Sequence, residues 1–330
     1  MYYTRRDFTK ATLAVPLASA LAAINSKIAG VQIGTITYSF RETHDLDAIV
    51  KMIAEIGIGE VELMSDHAES AAGAPAPPPR APAATPAPAR PATPAPSTPP
   101  ARRPRPPMTE EQITAARARN ETLRNWRVSV SMDKFKDVRQ KFDTAGIDLK
   151  ILCFNMNEAI TDDEIEYAFQ MAKALGVKAI SSSTRVPVAK RIAPFADKHK
   201  MMFGFHGHDS TWDPNEFATP ETFAIALGLS KYFGVNLDIG HFTSGNYDAV
   251  AFIKEHHARI TNLHLKDKKR DHGPNLPWGQ GDTPIKEVLQ LLKKQKYPIP
   301  ANIEYEYGKP GMITVDEVAK CFAYCKDALA

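Results

Sequence analysis

Asn236-Leu237-Asp238-Ile239-Gly240-His241 and Asn262-Leu263-His264-Leu265-Lys266-Asp267 share one plan. Each reads as a short apolar strand with polar residues at alternate positions, ending in side chains that bind protons or metals. Alternation places Asn236 with Asp238 on one face, and Asn262 with His264. The plan recurs on either side, in Gly204-Phe205-His206-Gly207-His208 and in Asn302-Ile303-Glu304-Tyr305-Glu306. Four consecutive strands are thus predicted to carry His206, Asp238, His264 and Glu304 near their C-terminal ends. A barrel of parallel strands brings such ends onto one rim.

The rest of the chain agrees with this reading. Apolar runs at 31–40, 59–64, 150–155, 177–182, 201–206, 235–239, 260–265 and 299–305 give eight candidate strands. Between them lie helix-like segments, for example 45–56, 162–175, 220–232, 249–257 and 285–294, the last with Ile285, Val288, Leu289 and Leu292 on one face. Leu175-Gly176-Val177 and Phe233-Gly234-Val235 put glycine where a helix is expected to end and a strand to begin. The predicted fold is an α/β (β/α)8 TIM barrel. The competing open, doubly wound sheet lacks support, since no Gly-x-Gly-x-x-Gly follows the first strand.

Two segments stand apart from the barrel. Residues 71–107 hold 15 of the 26 prolines and five arginines, without an acid or a lysine. Proline removes backbone donors and fixes φ, so this insertion after the second strand is expected to be extended or disordered. The first 22 residues contain Arg5-Arg6-Asp7-Phe8-Thr9-Lys10 before a weakly apolar alanine-rich stretch. They resemble a twin-arginine signal peptide, which implies export to the periplasm and a barrel domain over 23–330. Without these two segments 33 basic and 37 acidic residues remain, so the basic pI of 8.6 belongs to the appendages. A mildly acidic barrel argues against a nucleic-acid partner, and no long apolar run after the N-terminus argues for a membrane span. The three cysteines, Cys153, Cys321 and Cys325, make no disulfide framework and read as buried small side chains.

Each candidate site residue has an ordinary reading by itself, as an ion-pair partner or a hydrogen-bonded core group. Together, at four successive strand ends, they form a layer that is costly to bury unless its groups bind one another or a cation. Two imidazoles and two carboxylates suit Mn2+, Zn2+ or Co2+ better than Ca2+.

Leu237-Asp238-Ile239-Gly240-His241, Leu263-His264-Leu265-Lys266-Asp267, the Trp278-Gly279-Gln280-Gly281-Asp282 loop and Ile303-Glu304-Tyr305-Glu306 resemble the sugar phosphate isomerase/epimerase family of xylose-isomerase-like TIM barrels. The resemblance covers residues 31–328 apart from the insertion. It implies a divalent metal, often Mn2+, held by Glu, Asp, His and Glu, the last three falling on Asp238, His264 and Glu304. The family's first glutamate falls on His206 here, which puts in doubt the two-glutamate acid and base mechanism of the epimerases.

The expected chemistry is proton abstraction next to a sugar carbonyl through a metal-stabilised enediolate. Glu304 is the candidate base, with His208, His241 and Lys266 as candidates for the second proton. His241 reads equally as a support for Asp238, and Lys266 with Asp267 as a strand-end ion pair. Glu62, Trp278 and Arg270 are candidates for substrate contact, against the simpler readings of a buried carboxylate and of loop anchors. The expected partner is a small carbohydrate. Export favours a free sugar, keto-sugar or glycoside over a sugar phosphate, and homo-oligomerisation stays open. Isomerase or epimerase is the first reading. A lyase or hydratase on an oxidised sugar is the second, and a sugar-binding barrel without catalysis the third. A metallonuclease would need more ligands and a basic face.

Overall fold

A computed structural model of the chain describes residues 23–76, 103–308 and 311–330. The expected export signal and residues 77–102 of the insertion lie outside the described residues. The elements run β1 (Lys27–Ile28), β2 (Val31–Ile36), α1 (Leu46–Ile56), β3 (Glu60–Met64), α2 (Ser65–Ala71), α3 (Glu110–Arg119), α4 (Glu121–Ser129), α5 (Asp133–Thr144) and β4 (Asp148–Cys153). They continue with α6 (Asp162–Ala174), β5 (Ala179–Ser182), α7 (Val186–His199), β6 (Met202–His206), α8 (Pro220–Leu227), β7 (Phe233–Asp238) and α9 (Ile239–Ser244). The last are α10 (Ala249–His256), β8 (Ile260–Leu265), α11 (Ile285–Gln295), β9 (Ala301–Ile303) and α12 (Thr314–Leu329).

Strands β2 to β9 pair in parallel in sequence order, and β9 pairs back onto β2, so the eight close into a (β/α)8 barrel. The two-residue β1 pairs antiparallel with β2. Helices form where sequence patterning and caps coincide. In α1, Leu46, Ile49, Val50 and Ile53 make the buried face, Asp45 caps the first turn, and Gly57 at φ +83° ends the helix. In α6, Thr161 and Glu164 cap one another reciprocally. Cys321 and Cys325 lie buried on α12, as expected of small apolar side chains.

Four expectations are corrected. Residues 37–40 form a 3-10 turn instead of prolonging the first strand. The helix expected over 220–232 stops at Leu227, and Gly234 lies inside β7 where a cap was expected. A Cβ on Gly234 would stand 2.7 Å from the Arg259 carbonyl, so glycine there permits a close backbone approach. The insertion is not free over all of 71–107 either, because Ala71 ends α2 and Arg105 is tied to the barrel.

Candidate active site

The polar interior of the barrel has two tiers, and the lower is centred on Glu62 of β3. This carboxylate is fully buried. Its Oε2 accepts from the Asn262 and Asn302 amides at 2.8 and 3.0 Å and lies 2.8 Å from His264 Nε2. Its Oε1 accepts from the Ser181 hydroxyl and, at 3.4 Å, from the Asn236 amide. The amide NH2 groups of the inward asparagines thus find a carboxylate from across the barrel, while Oδ1 of Asn236 and of Asn302 has no hydrogen-bond partner among the described residues. Both oxygens of Glu62, a candidate for substrate contact, are engaged by protein groups within the barrel.

The upper tier holds His206, Asp238, His264 and Glu304, all buried, with one ligand atom from each within 4.8 Å of the others. The pairing of strands explains the assembly, since Asp238 is in register with His264, and His264 with Asn302. Glu62 takes His264 Nε2, so Nδ1 turns to the cluster, 3.1 Å from Glu304 Oε2. Asp238 Oδ1 accepts the His241 N–H at 2.7 Å as the cap of α9, which leaves Oδ2 for the cluster.

Lys266 completes this tier. Its buried ammonium lies 3.0 Å from Asp238 Oδ2, 2.9 Å from Glu304 Oε2 and 2.6 Å from Glu306 Oε2. The strand-end pair with Asp267 is therefore corrected. Asp267 instead accepts the N–H groups of Gly279, Gly281 and Thr283 at 2.8, 2.9 and 3.2 Å, which fastens the loop before α11.

Charge balance shows what this site can hold. Glu62, Asp238, Glu304 and Glu306 converge on one lysine and on His264. Burial opposes charge on His264, but Glu62 and Glu304 outweigh it and hold the imidazole well above its usual range. Burial likewise opposes charge on Lys266 and Glu304, yet Asp238 and Glu304 hold the lysine charged, while Lys266 and His264 hold the glutamate ionised. Burial and the neighbouring His264 push His206 well down, and its Nδ1 has no hydrogen-bond partner among the described residues. An orphaned imidazole nitrogen beside a surplus of buried carboxylates fits a divalent cation of the Mn2+, Zn2+ or Co2+ type. His206, Asp238, His264 and Glu304 would hold it.

His208 and His241 stand beside the cluster with ring centroids 5.3 Å apart, and His208 is 4.9 Å from the His206 ring. Burial, with help from His241 and Lys266, pushes His208 down to about 4. His241 Nε2 lies 3.2 Å from Lys266 Nζ, and its Nδ1 lies 3.7 Å from Asp209 Oδ1. Trp278 packs edge-on against Tyr324 of α12 at 5.7 Å, an anchor for its loop. Arg270 lies on the same loop, its N–H held by Asp282 at 2.9 Å. Neither side chain makes a described contact with the cluster. Sequence reading missed Glu306 and Asp209. Alternation from Glu304 was the available signal for Glu306, while nothing local marked Asp209.

Residues 120–324 match the family model described as xylose isomerase-like TIM barrel, and the chain belongs to that family. No curated protein matches the sequence at a significant level. Solved structures with the same fold include a sugar phosphate isomerase/epimerase from Parabacteroides distasonis, at 16% identity and TM-score 0.56, covering 94% of this chain and 99% of that one. Another is the probable 3-DHS dehydratase AsbF from Bacillus anthracis, at 13% identity and TM-score 0.58, covering 89% and 98%. A third is the IolI protein with a bound zinc atom, at 12% identity and TM-score 0.57, covering 91% and 98%.

Proposed function

We propose that this member of the xylose isomerase-like TIM barrel family is a divalent-metal-dependent isomerase or epimerase of a carbohydrate, acting by proton abstraction next to a carbonyl. The observation that carries this reading is the buried His206, Asp238, His264 and Glu304 set, with its ligand atoms within 4.8 Å of one another. Manganese is the first expectation for the metal, with zinc and cobalt as alternatives. When bound, the ion supplies positive charge to a sugar carbonyl oxygen and the adjacent hydroxyl, which lowers the cost of removing the neighbouring carbon-bound proton.

The chain's own groups handle the protons. Glu304 is ionised and faces the cluster, which suits a base. Lys266 and His241, 3.2 Å apart, and His208, facing His241, are placed to hold or deliver the second proton. Arg270, on the loop between β8 and α11, remains the outer candidate for substrate hydroxyls. Trp278 supports that loop through Tyr324. The Arg5-Arg6 pattern supports export, and with it a free sugar or glycoside as substrate.

His206 in place of a glutamate favours a second reading, a lyase or hydratase that uses the same proton abstraction but expels a β-substituent. The test is to incubate the manganese-loaded protein with keto-sugars in D2O and follow the products by NMR and mass. An isomerase or epimerase exchanges one carbon-bound proton and keeps the formula of the substrate. A lyase changes the formula. Sugar binding without exchange, undisturbed by Glu304→Gln, would overturn both in favour of a binding barrel.

A further inference from the structure

One wall of the cleft beside His208 does not come from the barrel. Residues 103–108, the end of the Pro-rich insertion, run without helix or strand across the strand ends. They are held mostly through their main chain, with the exposed Arg105 guanidinium also donating to Glu216 Oε1 at 2.7 Å. The Arg105 N–H donates to Asp213 Oδ2 at 3.0 Å, and the Met108 N–H donates to Glu158 Oε2 at 2.5 Å. The carbonyls of Arg105 and Pro106 accept from Arg185 at 2.6 and 3.4 Å. Arg185 is buried and also binds Glu158 Oε1 at 2.6 Å and Asp213 Oδ2 at 3.0 Å, so one guanidinium ties the strap and both of its carboxylate anchors together.

Between this strap and the strand ends lies a cavity of about 320 Å³. Its wall carries Pro106, Met108 and Met156 together with Asn157, Thr184 and His208. The Thr184 hydroxyl has no hydrogen-bond partner among the described residues. Thioethers and a proline ring offer almost nothing to sugar hydroxyls. Methionine adapts instead to flat or irregular apolar groups, and an apolar wall with a few polar groups is the usual make-up of a ligand pocket.

We propose that the strap and Met156 form a second subsite next to the metal-binding rim, which takes an apolar group carried by the sugar. The substrate is then an oxidised (keto) glycoside with an apolar aglycone, for which unoxidised glycosides serve as non-reacting binding probes, and Arg185 is the positioning residue that keeps the wall in place. This rests on the reading of the rim as a carbohydrate site. It assigns Met108 and Pro106 the contact, with the buried Met156 packed behind them, and gives Glu158 and Asp213 the task of holding Arg185.

The test compares phenyl with methyl β-D-glycosides of glucose, galactose and xylose by calorimetry on the manganese-loaded full chain. For at least one sugar the phenyl glycoside is expected to bind about ten-fold tighter. Met108→Ala, which leaves the clamp intact, brings the two affinities together while the methyl glycoside binds as before. Arg185→Lys does the same and speeds hydrogen exchange at the Arg105 and Met108 amides. Equal affinities on all three sugars, binding of none of them, or a phenyl preference that survives Met108→Ala would overturn the subsite. Metal content measured on the same samples separates the two ideas. A phenyl preference without bound metal refutes the metal-dependent reading and leaves the subsite, and bound metal without the preference does the reverse.

Discussion

Glu62 Oε2 lies 2.8 Å from His264 Nε2, so the buried carboxylate decides which imidazole nitrogen faces the cluster of His206, Asp238 and Glu304. A cation at the cluster would take the place of the Nδ1 proton of His264, and the pairing of Nε2–H with a carboxylate raises the strength of that nitrogen as a ligand. Glu62→Gln retains the shape but puts an amide NH2 where two asparagine amides and His264 donate. We expect divalent metal affinity to fall about 10- to 100-fold, measured by competition with a chelating dye. Unchanged affinity would contradict this role for Glu62.

Lys266 is the positive charge that the metal-free site uses for itself. Its ammonium lies within 3.0 Å of Asp238, Glu304 and Glu306, all carboxylates that lose this cationic partner in Lys266→Met. The metal-free variant is expected to be about 3–5 kcal/mol less stable than the parent. Added Mn2+ should restore a larger share of stability to the variant than to the parent, because the ion replaces the missing charge. Thermal unfolding with EDTA and with Mn2+ reads both effects, and an equal shift in both proteins would count against the arrangement.

A pH effect is expected at the opposite end of the barrel. Glu60 is buried, its Oε1 has no partner among the described residues, and burial pushes its carboxyl up from 4.5 to about 7, against the pull of Lys150. The folded chain therefore holds this proton over a range where the unfolded chain has lost it. Stability from this group is full below about pH 4.5, declines as pH rises through about 7 and is level above that. Glu60→Gln removes the decline and should add about 3 kcal/mol near pH 8. Urea unfolding near pH 5 and pH 8 is the measurement, and the same pH profile in both proteins would contradict it.

The loop between β8 and α11 hangs on Asp267, which receives three backbone N–H groups. A Cβ on Gly281 would lie 1.9 Å from Asp267 Oδ1, so the anchor also needs glycine at that position. Asp267→Ala and Gly281→Ala are both expected to release the loop, with roughly 1–3 kcal/mol lost for Asp267→Ala. Faster proteolysis between residues 268 and 284 in each variant is the readout.

The candidate metal ligands were legible because strand alternation is a local rule. His206, Asp238, His264 and Glu304 each follow a small or amide residue by two positions, and the barrel does the rest. The roles of their neighbours were not legible, because they depend on contacts across the barrel. Glu62 meets Asn262 and Asn302 only once the eight strands close, and Lys266 turns from adjacent Asp267 to Glu306, just beyond the end of β9. The strap at 103–108 was not legible, since the barrel grips mostly its main chain and the one side-chain tie, Arg105 to Glu216, spans more than a hundred residues. The overall fold was clear for the opposite reason. Apolar periods of two and 3.6 residues alternate along nearly the whole barrel, and tertiary contacts override them only at places such as Gly234 and the 3-10 turn at 37–40.

The most direct test of the central claim is the metal content of the purified protein, measured by mass spectrometry beside His264→Ala and Glu304→Gln. The account predicts about one tightly held divalent ion per chain in the parent, lost in both variants while they stay folded. No ion in the parent even after exposure to Mn2+, or the same content in all three proteins, would contradict it.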